Sequence, residues 1–389
     1  MVDGVRKFRI SVIVGARPNF MKAAPILRAF KKYPQFDVRL IHTGQHYDSL
    51  MSDVFFRDLG LPKPHISLGV GSGSHAKQTA RIMLASEDAF YGDGKPLVDM
   101  VMVVGDVNST LATALTAKKL NIPVVHVEAG LRSGDETMPE EINRRLTDHI
   151  SDLLFTTEKS GNNNLAAEGI SPSKVHLVGN VMIDSLVHVM PVVDKSTILD
   201  NLSLDKGHYA VLTLHRPSNV DSKESVYKIL NEIYAAQVSM RRQRSTDEPR
   251  MPIIFPTHPR TKERLHEFGL LNHSLGERLA DVKIIEPLGY VDFVRLVKDS
   301  AFVMTDSGGI QEETTYLGVP CMTLRNSTER PSTLNGTNRL VSNLDFIHNE
   351  VAKILSGGGD KGVVPEFWDG KAAERIVDIV FNKYGSQLA

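Results

Sequence analysis

The sequence has little of several features that would point to a specialised class of protein. It has one cysteine, Cys321, so no disulfide can form within the chain, and the apolar run GVPCMTL around it predicts a core residue. Its 45 Lys and Arg residues are balanced by 46 Asp and Glu residues, so no net field favours nucleic acid or an anionic membrane. No apolar run is long enough to span a bilayer. We therefore expect a protein with no nucleic-acid or membrane partner.

The first apolar run, FRISVIVG from Phe8, is short and is soon interrupted by Arg17. It predicts a first β-strand and not a signal peptide, so we expect a cytoplasmic location. The chain has 389 residues, which is more than one hydrophobic core usually supports, and two domains are expected.

Short runs rich in valine and isoleucine recur along the chain at spacings that leave room for a helix. The runs are apolar on both faces, which is typical of parallel strands covered by helices, and the βαβ pattern predicts a doubly wound α/β fold. The first series is FRISVIVG, VRLIHTG, DMVMVVGD, PVVHVEAG, DLLFTT and KVHLVGN, and the second is YAVLTLHR, MPIIFPTHP, VKIIEP, AFVMTDSGG and VPCMTLR. They predict Rossmann-like domains over residues 1–182 and 183–370, with a last helix in 371–389 that crosses back to the first domain.

Polar and charged side chains follow most of these predicted strands. In open parallel sheets, ligands bind outside the carboxyl ends of the strands. A purely structural protein has turn residues there and does not need Arg, His, Glu and Asp at so many of them. We therefore predict a functional cleft from the motifs GARPNFMK, TGQHYD, GDVNST, HVEAGLRSGD, TLHRPSNVD, PTHPRT and TDSGGIQEE.

Two of these turns have the chemistry of an anion site. Arg17 and Lys22 flank a predicted helix start, and a helix amino end with two cations attracts an anion. Ser307, Gly308 and Gly309 form a second strand-to-helix turn, where small side chains let backbone N–H groups approach phosphate oxygens closely.

Glu313 and His215 belong to the same predicted rim. Glu313 lies in the first turns of the helix after the glycines, where its carboxylate can accept hydrogen bonds from ribose hydroxyls. A glutamate there is also explained by the helix dipole alone. His215 ends another strand, and we interpret it as a donor or acid on the phosphate side.

The stretch HVEAGLRSGDETMPEEINRRLTDH, from His126, contains a predicted helix with many charges. Its acids are explained as caps and as two i,i+4 pairs, Glu140–Arg144 and Glu141–Arg145. We predict that its apolar stripe is buried: Ile142, Leu146, Ile150 and Leu153.

Glu128 and Asp106 have no such structural explanation. Glu128 ends an apolar strand, where desolvation would raise its pKa and suit it to proton transfer. Asp106 has the equivalent position on the preceding strand. Two carboxylates at neighbouring strand ends, near phosphate-binding cations, predict acid/base chemistry on a phosphate-bearing substrate.

The ordered set of motifs, together with NSTERPSTLNGTNRLV, resembles the non-hydrolysing UDP-N-acetylglucosamine 2-epimerases from Phe8 to about Val341. The resemblance implies a GT-B-like fold with two Rossmann-like domains facing a cleft, a homodimer, and neither a nicotinamide cofactor nor a metal. The implied reaction is the reversible C2 epimerisation of UDP-GlcNAc to UDP-ManNAc. In that reaction UDP is eliminated to leave a 2-acetamidoglucal and is then added back.

The resemblance also implies roles for individual residues, and it reassigns Glu140 from a helix cap to an acid/base carboxylate. The residues implied to be catalytic are Asp106, Glu128, Glu140, His215, Arg17 and Lys22. The residues implied to bind the substrate are Phe293 at the uracil, Glu313 at the ribose, Ser307, Gly308 and Gly309 at the phosphates, and Arg144 and Arg330 at the rest of the ligand.

Four alternatives remain open at this point. The region from TGQHYD to GVGSGSH also resembles family members that act on UDP-2,3-diacetamido-glucuronic acid. A GT-B glycosyltransferase would share the fold but has little need for paired carboxylates at Asp106 and Glu128. A hydrolysing 2-epimerase usually lacks the Arg-Pro pair that begins at Arg17, and a non-catalytic UDP-sugar-binding module needs no acids.

Overall fold

The computed structural model of this chain describes residues 6–44, 59–244, 251–257, 259–269, 281–358 and 362–385. Its contacts divide the chain into two compact units. The first consists of Met1–Val189 and Pro365–Ala389, and the second is Met190–Val364. No helix in the described ranges is both long and apolar enough to cross a membrane.

The first unit contains a seven-stranded parallel sheet in the order β3-β2-β1-β6-β7-β8-β9. Its strands, with the separate hairpin of β4 and β5, are β1 (Phe8–Val14), β2 (Phe36–His42), β3 (Ile66–Ser67), β4 (Tyr91–Gly92), β5 (Lys95–Pro96), β6 (Met100–Val104), β7 (Val124–Ala129), β8 (Leu153–Thr156) and β9 (Val175–Leu177). All residues of the central strands β6 and β7 are buried, which explains their uninterrupted apolar runs. The strand order reverses between β1 and β6, so the sheet is doubly wound.

Helices cover this sheet as the sequence spacing predicts. In chain order they are α1 (Arg17–Phe30), α2 (His75–Phe90), α3 (Asn108–Lys119), α4 (Pro139–Ile150), α5 (Lys159–Ala167) and α6 (Val181–Val193). The domain boundary that we placed after residue 182 lies near the start of α6, whereas the division between the compact units falls after Val189 in the same helix.

The second unit contains a six-stranded parallel sheet in the order β12-β11-β10-β13-β14-β15. Its strands are β10 (Ala210–Thr213), β11 (Ile253–Pro256), β12 (Val282–Ile285), β13 (Phe302–Thr305), β14 (Cys321–Thr323) and β15 (Asn338–Leu340). Its helices are α7 (Ile198–Leu202), α8 (Pro217–Val220), α9 (Lys223–Arg244), α10 (Pro259–Glu267), α11 (Tyr290–Lys298), α12 (Gly308–Leu317) and α13 (Ile347–Lys353). Cys321 is a buried core residue, and burial raises the pKa of its thiol to about 11.

The last helix, α14 (Ala372–Tyr384), belongs to the first unit. It packs on α1, and the rings of Tyr33 and Phe381 lie 5.0 Å apart. The carboxylate of Asp184, in α6, accepts the amide N–H groups of Ala372 at 3.1 Å and Ala373 at 2.7 Å. The first amide N–H groups of a helix have no carbonyl acceptor within the helix. Two of these groups in α14 therefore donate to a side chain from a distant segment.

Helix α4 turns a different face to the core from the one we predicted, although Leu153, just beyond it in β8, is buried and Ile150 packs on the apolar core as predicted. Ile142 and Leu146 are 51% and 50% exposed, while Glu141, Arg144 and Asp148 are buried. The predicted i,i+4 ion pairs are also wrong. The guanidinium of Arg144 contacts Glu141 and also Asp106, which follows β6. Arg145 pairs with Glu136. The reason is that polar partners at the ends of β6 and β7 stabilise the charged face of the helix against the sheet.

The buried position of Asp184 predicts a pH-dependent stability. Burial raises the pKa of Asp184 from its ordinary value of 3.8 to about 6, although its hydrogen bonds to Ala373 and Ala372 favour the charged form. The folded chain therefore binds this proton more tightly than the unfolded chain does. The stabilising contribution is fully present below the unfolded pKa and is lost as the pH rises through the folded pKa.

We expect the free energy of unfolding of the native chain, relative to Asp184→Asn, to fall by about 2 kcal/mol between about pH 4 and about pH 7. Chemical denaturation of both proteins at the two pH values measures this difference. A difference that does not change with pH would contradict the assignment.

Candidate active site

The turn after β1 is built from buried hydrogen bonds at the point where the first sheet reverses its strand order. The side-chain oxygen of Asn19 accepts the amide N–H of Gly15 at 3.1 Å, and its Nδ2 donates to the carbonyl of Val104 at 3.0 Å. A Cβ on Gly15 would lie 2.1 Å from Oγ of Ser109, so only glycine fits. This turn ties the end of β1 to the end of β6.

A buried ion pair joins Lys22 of α1 to Glu128 of β7, and the side chains are 8% and 5% exposed. Glu128 has a φ of 73°, in the left-handed region that residues with a Cβ rarely adopt, and the pairing of β7 with β8 shifts register at the same place. A Cβ on Gly105 would lie 3.0 Å from Nζ of Lys22 and 3.7 Å from Oε2 of Glu128. The pair therefore lies directly against the turn after β6, and Glu128 combines a left-handed backbone with a local break in the strand pairing.

A second carboxylate–cation pair follows the same turn. Nη2 of Arg144 contacts Oδ2 of Asp106 at 2.5 Å, and Nη1 donates to Glu141 at 2.7 Å. Glu141 in turn accepts the amide N–H and the hydroxyl of Ser133, each at 2.9 Å. The side chain of Arg144 is only 2% exposed, whereas that of Asp106 is 28% exposed. Asp106 is thus an accessible carboxylate held by a buried guanidinium.

His126, in β7, contacts the turn after β6 and a buried carboxylate of α4. One imidazole nitrogen donates to the carbonyl of Gly105 at 2.8 Å, and Nδ1 lies 2.7 Å from Asp148. Asp148 also accepts the amide N–H of Gly130 at 3.1 Å and pairs with Arg132 at 2.8 Å. This buried network joins the turn after β6, the loop after β7 and helix α4. Our sequence analysis missed it, because strand position alone does not show which polar residue of an apolar strand has a partner.

The remaining candidates of the first unit are less fully described. Arg17 is the first residue of α1, but its side chain lies outside the described part of the structure. Glu140 is half-buried in the first turn of α4. Residues 45–58, which include most of the TGQHYD motif, lie outside the described ranges.

Asp306 organises the corresponding strand ends of the second unit, where the sheet order reverses between β10 and β13. It is fully buried, and it accepts the amide N–H of Arg216 at 2.9 Å and Nδ2 of Asn219 at 3.0 Å. It also lies 2.6 Å from Nδ1 of His215, whose side chain is 59% exposed. Burial acts to raise the pKa of Asp306, but these contacts outweigh burial and hold the pKa below its usual value. An ionised Asp306 therefore orients His215.

The Ser307-Gly308-Gly309 turn begins α12 as predicted. A Cβ on Gly308 would lie 2.4 Å from Nη1 of Arg330, so a larger residue there would displace this guanidinium. Nε of Arg330 donates to Glu312 at 2.7 Å, and its Nη1 pairs with Glu329. Arg330 is thus a buried, ion-paired support directly behind the glycine turn.

Glu313 and Phe293 lie on two neighbouring helices of the second unit. The hydroxyl of Tyr290, at the start of α11, donates to Oε1 of Glu313 in α12 at 2.8 Å. Phe293 is half-buried one turn later in α11 and packs on the apolar core there. In the first unit, the predicted site residues Lys22, Glu128, Asp106 and Arg144 form two ion pairs at the ends of β6 and β7. In the second unit, His215 and the glycine turn follow strand ends, while Glu313 and Arg330 are held by contacts of α12.

Neutralising Glu128 is expected to destabilise the fold. Glu128→Gln leaves the buried ammonium of Lys22 without its charged partner, which typically costs about 3–5 kcal/mol of unfolding free energy. The double variant Lys22→Met, Glu128→Gln removes both charges, so it should be more stable than the single variant. Thermal and chemical denaturation of the native chain, Lys22→Met, Glu128→Gln and the double variant form a double-mutant cycle. Additive losses would show that the pair is not coupled.

Comparison with known proteins gives this geometry a context. The family model described as UDP-N-acetylglucosamine 2-epimerase matches residues 28–381. A UDP-N-acetylglucosamine 2-epimerase of Methanococcus maripaludis is 41% identical over 382 residues, which cover 97% of this chain and 99% of the relative. A UDP-2,3-diacetamido-2,3-dideoxy-D-glucuronate 2-epimerase of Pseudomonas aeruginosa is 36% identical and covers 95% of this chain and 98% of its own length.

The solved structures agree with this assignment. The crystal structure of the Methanocaldococcus jannaschii UDP-GlcNAc 2-epimerase in complex with UDP-GlcNAc and UDP has a TM-score of 0.81 and 41% identity, and it covers 96% of this chain and all of its own. The predicted fold class, two doubly wound α/β domains of the GT-B-like kind, is confirmed. The chain therefore belongs to the UDP-N-acetylglucosamine 2-epimerase family and is an epimerase.

Proposed function

We propose that this chain interconverts UDP-GlcNAc and UDP-ManNAc by eliminating UDP and adding it back. The observation that carries the proposal is the pair of carboxylates at the ends of β6 and β7, each held by a buried cation. Asp106 contacts Arg144, and Glu128 contacts Lys22, at the reversal point of a doubly wound sheet. A module that only binds nucleotide sugars does not need this arrangement.

The chemistry explains why two carboxylates are required. The hydrogen at C2 is not acidic, because no carbonyl adjoins that carbon. In the elimination, the C1–O bond breaks with its electron pair leaving on UDP, a carboxylate takes the C2 proton, and a C1=C2 double bond forms. In the addition, a phosphate oxygen of UDP bonds to C1 while a carboxylic acid delivers a proton to the other face of C2. The sum changes only the configuration at C2.

The residue roles follow from this scheme. We assign proton transfer to Asp106, Glu128 and Glu140, because acid/base groups are needed on both faces of the ring. Lys22 fixes the orientation of Glu128, and Arg17 and His215 stabilise the charge that develops on the leaving diphosphate. We assign Ser307, Gly308 and Gly309 to the phosphates, Glu313 to the ribose, Phe293 to the uracil, and Arg144 and Arg330 to supporting contacts.

Two observations favour UDP-GlcNAc over UDP-2,3-diacetamido-glucuronic acid. Two relatives named for UDP-GlcNAc, from Methanococcus maripaludis and Methanocaldococcus jannaschii, each share 41% identity with this chain, against 36% for the relative named for the glucuronate. A carboxylate at C6 of the sugar needs a cation of its own. Lys22 and Arg144, the candidate cations of the first unit whose side chains the structure describes, already contact protein carboxylates. A panel of UDP-sugars scored for inversion at C2 compares the two substrates directly.

The elimination scheme predicts that the C2 hydrogen comes from solvent. In D2O, the product should carry one deuterium at C2, and turnover should need no added nicotinamide, because the proton returns from a side chain that exchanges with water. Mass spectrometry of the sugar measures the label. Product that retains protium at C2 would exclude the scheme, and a glycosyltransferase would leave C2 unlabelled.

We further propose that the chain forms a homodimer through the outward face of α4. Ile142 and Leu146 lie one helical turn apart on this face and are about half exposed, and Leu84 of α2 is 68% exposed. Helices α2, α3 and α4 pack side by side, so these side chains belong to one layer of the first unit. Exposed apolar residues grouped in this way are typical of a protein–protein interface. A second copy of this layer is the self-complementary partner that a two-fold dimer requires.

Leu146→Asp should convert the dimer to a monomer, because a charge would be buried at the interface. Sedimentation equilibrium should show about twice the chain mass of 43.0 kDa for the native protein and the chain mass for the variant. Phe346→Asp is a matched control, since Phe346 is 56% exposed on the second unit. A Leu146→Asp protein that stays dimeric would place the interface elsewhere.

A further inference from the structure

Tyr290 and Glu313 form a buried hydroxyl–carboxylate contact in the second unit. Tyr290 is the first residue of α11 and is 3% exposed, and Glu313 in α12 is 4% exposed. The phenol oxygen lies 2.8 Å from Oε1 of Glu313. Neither the helix caps nor the apolar core of this unit requires a glutamate at this position.

The direction of this hydrogen bond is fixed by the chemistry of the two groups. Burial and the charge of Glu313 raise the pKa of Tyr290 well above its ordinary value, so the phenol keeps its proton. The hydroxyl therefore donates, and the carboxylate accepts. A carboxylate can accept about four hydrogen bonds, so the bond from Tyr290 orients Glu313 without exhausting its capacity as an acceptor.

The helix dipole does not account for Glu313. Helix α12 begins at Gly308, so Glu313 lies beyond its first turn, and the effect of the helix end falls off within that turn. The preceding residue, Glu312, contacts the guanidinium of Arg330, as buried acids commonly contact a cation. Glu313 receives a hydrogen bond from the phenol of Tyr290. This donor sets the geometry of the carboxylate, which can accept further hydrogen bonds from a ligand.

We propose that Tyr290 is a positioning residue that sets the preference of this site for a ribonucleotide over a 2′-deoxyribonucleotide. It holds Glu313 in the orientation in which the carboxylate accepts hydrogen bonds from the ribose hydroxyls, the 2′-hydroxyl included. The inference rests on the proposed function, which assigns Glu313 to the ribose. The inference goes beyond that function in two respects. It assigns a role to Tyr290, which acts through Glu313, and it makes Tyr290 responsible for discrimination between ribose and deoxyribose.

Tyr290→Phe tests the proposal, since it removes one oxygen and keeps the ring. The loss of a hydrogen bond to a charged group corresponds to about tenfold or more in affinity. We expect the native protein to bind UDP at least about tenfold more tightly than 2′-deoxy-UDP. In Tyr290→Phe this ratio should fall towards one, mainly because UDP binds more weakly. Isothermal titration calorimetry with the two nucleotides measures both constants.

Tyr209→Phe is the matched control, because it also removes a buried tyrosine hydroxyl from the second unit. That hydroxyl donates to the carbonyl of Leu296 at 2.6 Å, and the side chain is fully buried in the apolar core. We expect Tyr209→Phe to keep the native preference for UDP. Thermal unfolding of both variants shows how much stability each substitution removes, so a loss of folding is separated from a loss of discrimination.

Glu313→Gln distinguishes the two levels of the inference. If the native protein does not prefer UDP, the ribose assignment of Glu313 is wrong and the proposal for Tyr290 is wrong with it. If Glu313→Gln loses the preference while Tyr290→Phe retains it, the ribose assignment stands and the role of Tyr290 is refuted. Equal weakening of both nucleotides by Tyr290→Phe would also refute it, because that result indicates a structural role only.

Discussion

The buried contact between Lys22 and Glu128 is the constraint around which the first unit is arranged. Removing two charges from water is unfavourable, and a left-handed backbone at Glu128 adds strain, so the pair persists only because its surroundings fix it. Because Gly105 has no side chain, there is space for the ion pair beside it. Asn19 holds the ends of β1 and β6 together next to the pair. His126 donates a hydrogen bond to the carbonyl of Gly105 in the same turn. An enzyme that must hold a carboxylate in one orientation has reason to retain such a costly arrangement.

The second unit reaches a similar result with different groups. Asp306 is also a fully buried carboxylate at the reversal point of a parallel sheet, but its partners are amide N–H groups, an asparagine and the imidazole of His215. Several donors replace the single ammonium of the first unit. The difference suits their proposed tasks, since Glu128 is assigned to proton transfer whereas Asp306 only has to hold a neighbouring imidazole.

The sequence predicted the two sheets well, because buried parallel strands leave an apolar signature in every run. Strands β3 and β15 were missed because each contains a single apolar residue, whereas the similarly short β9 and β14 lie within longer apolar runs. Most candidate site residues were found because they directly follow a predicted strand. The face of α4 was predicted wrongly, because periodicity shows which side of a helix is apolar and not which side packs on the sheet. Asp306 and Tyr290 were missed because their roles depend on partners far away in sequence.

The attachment of α14 to the first unit has a consequence for the order in which this protein is made. The carboxylate of Asp184 and the carbonyl of Thr157 have their partners in the segment that contains Trp368 and Ala372, and that segment is translated only after the whole second unit. A ribosome-bound chain that stops at Val364 therefore carries a first unit without its last helix. The surface of α1, and Tyr33 just after it, therefore stay uncovered until α14 has been made. The second unit is a single continuous segment, so all of its residues are translated before the last residues of the first unit.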